Sequence, residues 1–177
     1  MGDRVFAFDE NFVLSDGSVA YTQSGFAQYG GIQAGVDLGG NQSQNATITL
    51  PSIAATSSLT PQQPRFEGWL VVDVAAIKTS AANELYKLIV VASNDPSFGA
   101  GNVAMLGMLE LGVAASLDFP NGITTPAPAT IGGSRYELGF INQQNGQAFQ
   151  FLSFFHALSG TNPSITYRAF VAVIPEP

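Results

Sequence analysis

The chain has 177 residues, of which 46% are hydrophobic and only 11% charged, with a net charge of −7 and no cysteine. Disulfides, thiolate nucleophiles and cysteine-held zinc are thereby excluded. The six scattered Lys and Arg argue against nucleic acid held through its phosphates, the acidity disfavours anionic membrane surfaces, and 13 Phe argue against disorder.

The length suits a single domain over 1–177. The first stretch, MGDRVFAFDENF, lacks the apolar core of a secretory signal, and Phe6 stands where myristoylation needs Ser or Thr. No apolar run approaches the roughly 18 residues of a membrane span. Apolar segments of strand length follow one another: NFVLS, GIQAGVDL, ATITL, FEGWLVVDVAAI, LYKLIVVAS, VAMLGMLELG, YELGFIN, FQFLSFFHAL and SITYRAFVAVI. They are rich in Val, Ile, Phe and Tyr. Turn signals lie between them: SDGS at 15–18, GG at 39–40, PQQP at 61–64, SNDP at 93–96, PNG at 120–122, GGS at 132–134, QNG at 144–146 and TNP at 161–163. Many short strands at such spacing point to an all-β sandwich or barrel.

Helix signals are few. TSAANELYKL, 79–88, has Thr79 or Ser80 as a cap and Glu84 near the first turn, which suits at most one short helix. NVAMLGMLELG has helical residue preferences, but Gly107 and the Gly-rich loop before it favour a strand. Two segments, 38–64 and 138–167, carry no charged residue. The first is expected to be a polar loop, or an arm ordered against a neighbour. The tail PEP, 175–177, does not extend a strand and is expected to be exposed.

FQFLSFFHALSG, 149–160, holds the only histidine, His156. Period-two alternation puts Phe149, Phe151, Ser153, Phe155 and Ala157 on one face, expected to be the core face. Gln150, Leu152, Phe154, His156 and Leu158 take the other. That face is also mostly apolar and needs a loop, a crossing segment or another subunit to cover it.

Chemical motifs are sparse. A catalytic histidine needs a nucleophile and an orienting carboxylate, there is no Gly-x-Ser-x-Gly elbow, and Ser153 lies on the opposite face, so His156 reads as structural. GAGNVA, 99–104, fits a phosphate loop in letters, yet NDPSF separates it from the preceding strand and no βαβ pattern follows. The thirteen carboxylates are dispersed, with only Asp9 and Glu10 adjacent, and no calcium-loop spacing occurs. Asn41-Gln42-Ser43 and Asn45-Ala46-Thr47 match the glycosylation pattern by chance in a stretch so rich in these residues. Trp69 sits inside an apolar strand, and Tyr21 and Tyr29 are better candidates for exposed contact residues. No catalytic, cofactor-binding or metal-binding residue is assigned.

Three stretches taken together carry a resemblance: FDENFVLSDGSVAYTQSG followed by GVDLGG, then FEGWLVVDVAAIKTSAANELYKLIVVASNDPSF, then SRYELGFINQQNGQAFQFLSFFHALSGTNPSITYRAFVA. Their order resembles the Bbp16-like capsid decoration (cement) proteins of tailed bacteriophages, over most of the chain. The regions 38–64 and NGITTPAPATIGG resemble variable loops. The resemblance implies a jelly-roll-type antiparallel β-sandwich that oligomerises on the outer capsid face, and it implies no catalytic residues. This chain departs from that family in its unusually low charge.

The expected role is therefore structural and not enzymatic. The expectation is a virion protein made in the bacterial host cytoplasm and placed on the outer capsid surface. Its expected partners are the major capsid protein and itself, as homodimer or homotrimer, with no nucleic acid, membrane or cofactor. Three other readings make different demands. A carbohydrate- or host-surface-binding module requires a solvated aromatic platform near Tyr21, Tyr29 or Trp69. A β-sandwich glycosidase requires two close carboxylates in a groove. A tail or spike subunit requires assembly with tail components.

Overall fold

The computed structural model describes residues 12–38, 65–79, 81, 83–99, 101, 103–112 and 134–172. The strands are β1 Val13–Asp16, β2 Gly25–Phe26, β3 Gln28–Tyr29, β4 Ile32–Gln33, β5 Gly35–Asp37, β6 Glu67–Ile77 and β7 Leu85–Ser93. They continue with β8 Ala104–Gly112, β9 Ser134–Ile141, β10 Gln143–Gln144, β11 Gln147–Ala148, β12 Phe151–Ser159 and β13 Ile165–Ala172. The expected strand ATITL, all of the arm 38–64 except Leu38, both Asn-x-Ser/Thr sites, the Asp9-Glu10 pair and the tail 175–177 lie outside the described residues.

Two antiparallel sheets carry the fold. Sheet one runs β1-β13-β6-β9. Sheet two runs β2-β12-β7-β8, with β5 paired to β12 beside β2. Taking β2 and β5 as two halves of one interrupted strand, the pairing is nested. β1 pairs with β13, β2 and β5 with β12, β6 with β9, and β7 with β8. Among the described strands the first meets the last and the chain closes inward to the β7–β8 hairpin, which is the jelly-roll arrangement of an all-β sandwich. Such pairing across long sequence separations makes slow folding the expectation.

Alternation fills the space between the sheets. Leu70, Val72 and Val74 of β6 and Tyr167, Ala169 and Val171 of β13 point inward from sheet one. Tyr86, Leu88, Val90 and Ala92 of β7 meet them from sheet two, with Leu152 and Phe154 of β12. Tyr86 keeps its hydroxyl satisfied inside this core, donating to the Lys78 carbonyl and accepting the Ser164 N–H at 3.0 Å. Burial accordingly raises its pKa above the ordinary tyrosine value.

The structure reverses the expected facing of β12. Leu152, Phe154 and His156 are buried toward the core, while Phe151, Phe155 and Ala157 lie outward and half-buried. Ser153 decides the direction: its Oγ donates to the Ala34 carbonyl at 2.6 Å, on the side of the edge strand β5. Phe149, counted with the outer set, precedes the strand and is held by backbone bonding to Asn142. Both sets are apolar, so alternation alone did not distinguish them.

No helix forms in the described part of 79–88. Glu84 is fully buried and both its carboxylate oxygens accept the Ala81 N–H at 3.1 Å. Its capping behaviour is therefore realised in a tight turn, and β7 begins at the next residue. The segment VAMLGMLELG is a strand, as Gly107 suggested.

Candidate functional site

His156 lies on β12 opposite Gly25 of β2. Its Nδ1 is 2.9 Å from the Tyr167 hydroxyl. The Gln23 carbonyl accepts a hydrogen bond from the ring, so the other nitrogen carries the proton and Tyr167 donates to Nδ1. Tyr21 packs on the imidazole with ring centroids 4.2 Å apart. Burial pushes the His156 pKa down to about 4 against the small opposing effect of the Gln23 carbonyl. Burial also raises Tyr167, helped by Tyr21 beside it. The imidazole at neutral pH is thus an uncharged spacer with both nitrogens engaged. This geometry orients side chains within the core.

The carboxylates are likewise occupied one at a time. Asp16 accepts the Ser18 N–H at 2.9 Å and the Ser18 hydroxyl at 2.6 Å, and these bonds hold it below its ordinary pKa. Asp95 accepts the Ser97 N–H and hydroxyl at 2.9 and 2.7 Å. Asp73 takes a two-pronged contact from Arg135 at 2.6 and 2.9 Å. Glu110 faces Lys87 at 3.5 Å. Among the described residues no three His, Asp or Glu side chains group as metal ligands would.

The three aromatic contact candidates do not converge. Tyr21 is buried, correcting the expectation of exposure. Its backbone bridges to Ile165 and its ring packs on His156 and Tyr167, so it belongs to the core. Tyr29 is exposed on β3 as expected. Trp69 lies half-buried on the outer side of sheet one, over Gly139, where an added Cβ would stand 3.6 Å from the indole. The GAGNVA stretch leads into strand β8, paired antiparallel to β7, so the βαβ setting of a phosphate loop is missing.

The surfaces of the sandwich are more informative. On the outer face of sheet two, register aligns Phe26, Phe155, Ile89 and Met108 in one row across four strands. All four are half-buried. Phe26 packs edge-on against Phe155 at 5.2 Å. The β7–β8 loop sends Phe98, with φ 51°, back over this face to contact Phe26 at 5.7 Å. Phe98 lies against Gly35 as well. A loop therefore covers one end of the face, where Val91, Ser93 and Ser153 are buried, and leaves the four-residue row half open. The period-two reading called for a cover on this strand's second apolar face. The cover exists, on the side opposite to the one expected.

Comparison with protein-family models, with curated proteins and with solved structures returned no match to this chain.

Proposed function

We propose that this protein is a structural virion component: a decoration, or cement, protein that binds the outer face of a tailed-bacteriophage head as a homo-oligomer and stabilises the shell. One observation carries the reading, the half-open apolar row Phe26, Phe155, Ile89 and Met108 across sheet two. A row of that kind on a chain with so few charges is suited to burial against another protein. The jelly-roll topology and the resemblance of the three sequence stretches support it. A stable contact buries about 800 Å² on each partner, which takes the row and its surroundings. Binding to the assembled shell stabilises that state by mass action.

The test is sedimentation of purified protein with undecorated heads. Co-sedimentation is expected and should persist at high salt, because the row is uncharged and salt screens only charges. Met108→Lys, which places a cation in the middle of the row, is expected to weaken head binding about 100-fold while leaving the fold intact. Failure of the unaltered protein to co-sediment at any salt overturns the proposal.

A further inference from the structure

We infer that Asn145, at the tip of the β10–β11 hairpin, is a site of spontaneous covalent modification, at which the side-chain amide is lost and an aspartate or isoaspartate takes its place.

Two adjacent groups set the chemistry, which makes asparagine a thermolabile residue. The backbone nitrogen of the residue after an asparagine loses its proton to hydroxide and attacks the side-chain carbonyl carbon. The new C–N bond closes a five-membered succinimide, and the amide nitrogen leaves as ammonia. Water then opens the ring. Breaking the bond to the side-chain carbonyl carbon gives aspartate; breaking the bond to the main-chain carbonyl carbon gives isoaspartate. The balance is asparagine and water in, aspartate or isoaspartate and ammonia out. The reaction needs a free amide, a following N–H unhindered by a side chain, and a peptide plane able to turn.

The fold sorts the asparagines by these needs. Five lie among the described residues: Asn83, Asn94, Asn142, Asn145 and Asn162. Asn83 donates from Nδ2 to Thr161 Oγ1 at 2.9 Å and accepts the Thr161 N–H at 3.1 Å. Asn94 accepts the Gln150 N–H at 2.9 Å. Buried Asn142 accepts the Phe66 N–H at 2.7 Å and donates to the Phe149 carbonyl at 2.9 Å. Asn162 precedes Pro163, which has no N–H to lose. Asn145 is exposed, precedes Gly146, and its side chain makes no hydrogen bond among the described residues.

The turn leaves the nucleophile open. Gln144 pairs with Gln147 and Gln143 with Ala148, so Gly146 lies beyond the closing pair of the ladder. A Cβ added at Gly146 would meet nothing within 4 Å. Asn145 and Gly146 hold φ 52° and 79°. Ring closure turns the peptide plane between them, and a ladder of two residue pairs gives that turn little resistance. Asp16 is the contrast. It also precedes a glycine of positive φ, Gly17 at 75°, but its carboxylate is held by the Ser18 N–H and hydroxyl and by the Gly30 N–H.

The product alters its surroundings. It adds a negative charge to a chain already at −7. Isoaspartate also adds a methylene to the main chain of a two-residue turn, which disturbs the β10–β11 register. Gln147 of that hairpin lines a cavity of about 480 Å³ with Asn94 and Phe149.

Storage of the folded protein at pH 8.5 and 37 °C, followed by chymotryptic cleavage and fragment mass spectrometry, tests this. Cleavage after Phe140 and Phe149 places Asn142 and Asn145 on one peptide, apart from Asn121, which also precedes a glycine and lies outside the described residues. A gain of one mass unit is expected at position 145 at least about tenfold faster than at Asn83, Asn94 or Asn142, whose amides must first break hydrogen bonds. In guanidinium chloride those three are expected to speed up about tenfold or more, and position 145 to stay within about tenfold of its folded rate. Gly146→Ala, whose methyl hinders the attacking nitrogen, is expected to slow the conversion about tenfold. No gain at 145 in the folded protein, a gain no faster than at Asn142, or a folded rate more than about tenfold below the unfolded one would each overturn the site. An unchanged rate in Gly146→Ala would overturn attack by the Gly146 nitrogen.

Discussion

The outer faces of the two sheets are built from similar parts used in opposite ways. Sheet one carries a row of alternating charge, Asp16, Arg168, Asp73 and Arg135, aligned across β1, β13, β6 and β9. Next to it lies an apolar cluster of Val13, Val71, Phe170 and Ala172 that is buried. Charge meets water there and hydrocarbon is covered, with Arg168 placed 6.0 Å above the Phe170 ring. Sheet two inverts the scheme. Its ion pair, Lys87 and Glu110, has a carboxylate only 3% exposed, while its apolar row Phe26, Phe155, Ile89 and Met108 stays half open. Sheet one carries its charged row to water, with Trp69 as a single half-buried ring beside it. Sheet two is the face with apolar area still to bury, and it is the face on which the shell contact is proposed.

Acid offers the largest perturbation, and it acts between the faces. His156 has a folded-state pKa of about 4, below the 6.5 of a free imidazole. The unfolded chain therefore binds more protons between those values, and stability is full above pH 6.5 and falls as the pH drops toward 4. The loss by pH 4.5 is on the order of 2–3 kcal/mol. Urea unfolding at pH 7.5 and 4.5 measures it. His156→Gln, neutral at both pH values, is expected to flatten the difference. Equal stability of the unaltered protein at both pH values would mean that the imidazole is open to water. Asp16, held low by Ser18, adds its own loss only at still lower pH.

Next in size is the ion pair of sheet two. Lys87→Ala removes the cation 3.5 Å from a carboxylate that has almost no water of its own. Breaking a buried pair from one side is expensive, and the partial exposure of Lys87 moderates it to about 2 kcal/mol. The checking measurement is urea unfolding at neutral pH. Lys87→Met, which keeps the stem over the sheet, is expected to lose nearly as much if the charge matters, and little if only packing does.

How far the letters alone carried this picture varies by element. The six long strands β6, β7, β8, β9, β12 and β13 each coincide with an apolar run bounded by turn residues, because burial on a pleated sheet writes itself locally. The Asn145–Gly146 turn of the β10–β11 hairpin, with φ 52° and 79°, was equally legible. What escaped is what depends on partners far along the chain. Tyr21 stands among Gly, Ser and Gln, yet Ile165, His156 and Tyr167 bury it. Phe98 reads as a loop residue and instead crosses the sheet to Phe26. β12 is apolar on both sides, so its inward face is set by β7 and by the Ser153 bond to Ala34. GIQAGVDL read as one strand, whereas Gly30 and its own first residue Gly31 turn a hairpin, and the run divides at Ala34 into β4 and β5. The glycine pair at 30–31 was the available signal, flanked by Tyr29 and Ile32 as a two-residue turn is flanked by a cross-strand pair.

The smallest effect belongs to the charge row of sheet one, and its smallness completes the contrast. Arg135 and Asp73 make the better hydrogen bonds of the two ion pairs, two contacts of 2.6 and 2.9 Å against a single 3.5 Å approach. Distance alone would rank them the stronger. Exposure reverses the ranking: Arg135 is 52% exposed and Asp73 33%, so water replaces whatever is removed. Arg135→Ala is therefore expected to cost under about 1 kcal/mol, less than half the loss from Lys87→Ala, and to shrink further in high salt. The same urea titration reads both variants. Head binding by Arg135→Ala is expected to stay within about threefold of the unaltered protein, since the charges of sheet one are wet and the proposed contact lies on sheet two. A loss comparable to that of Met108→Lys would move the shell contact from sheet two to sheet one.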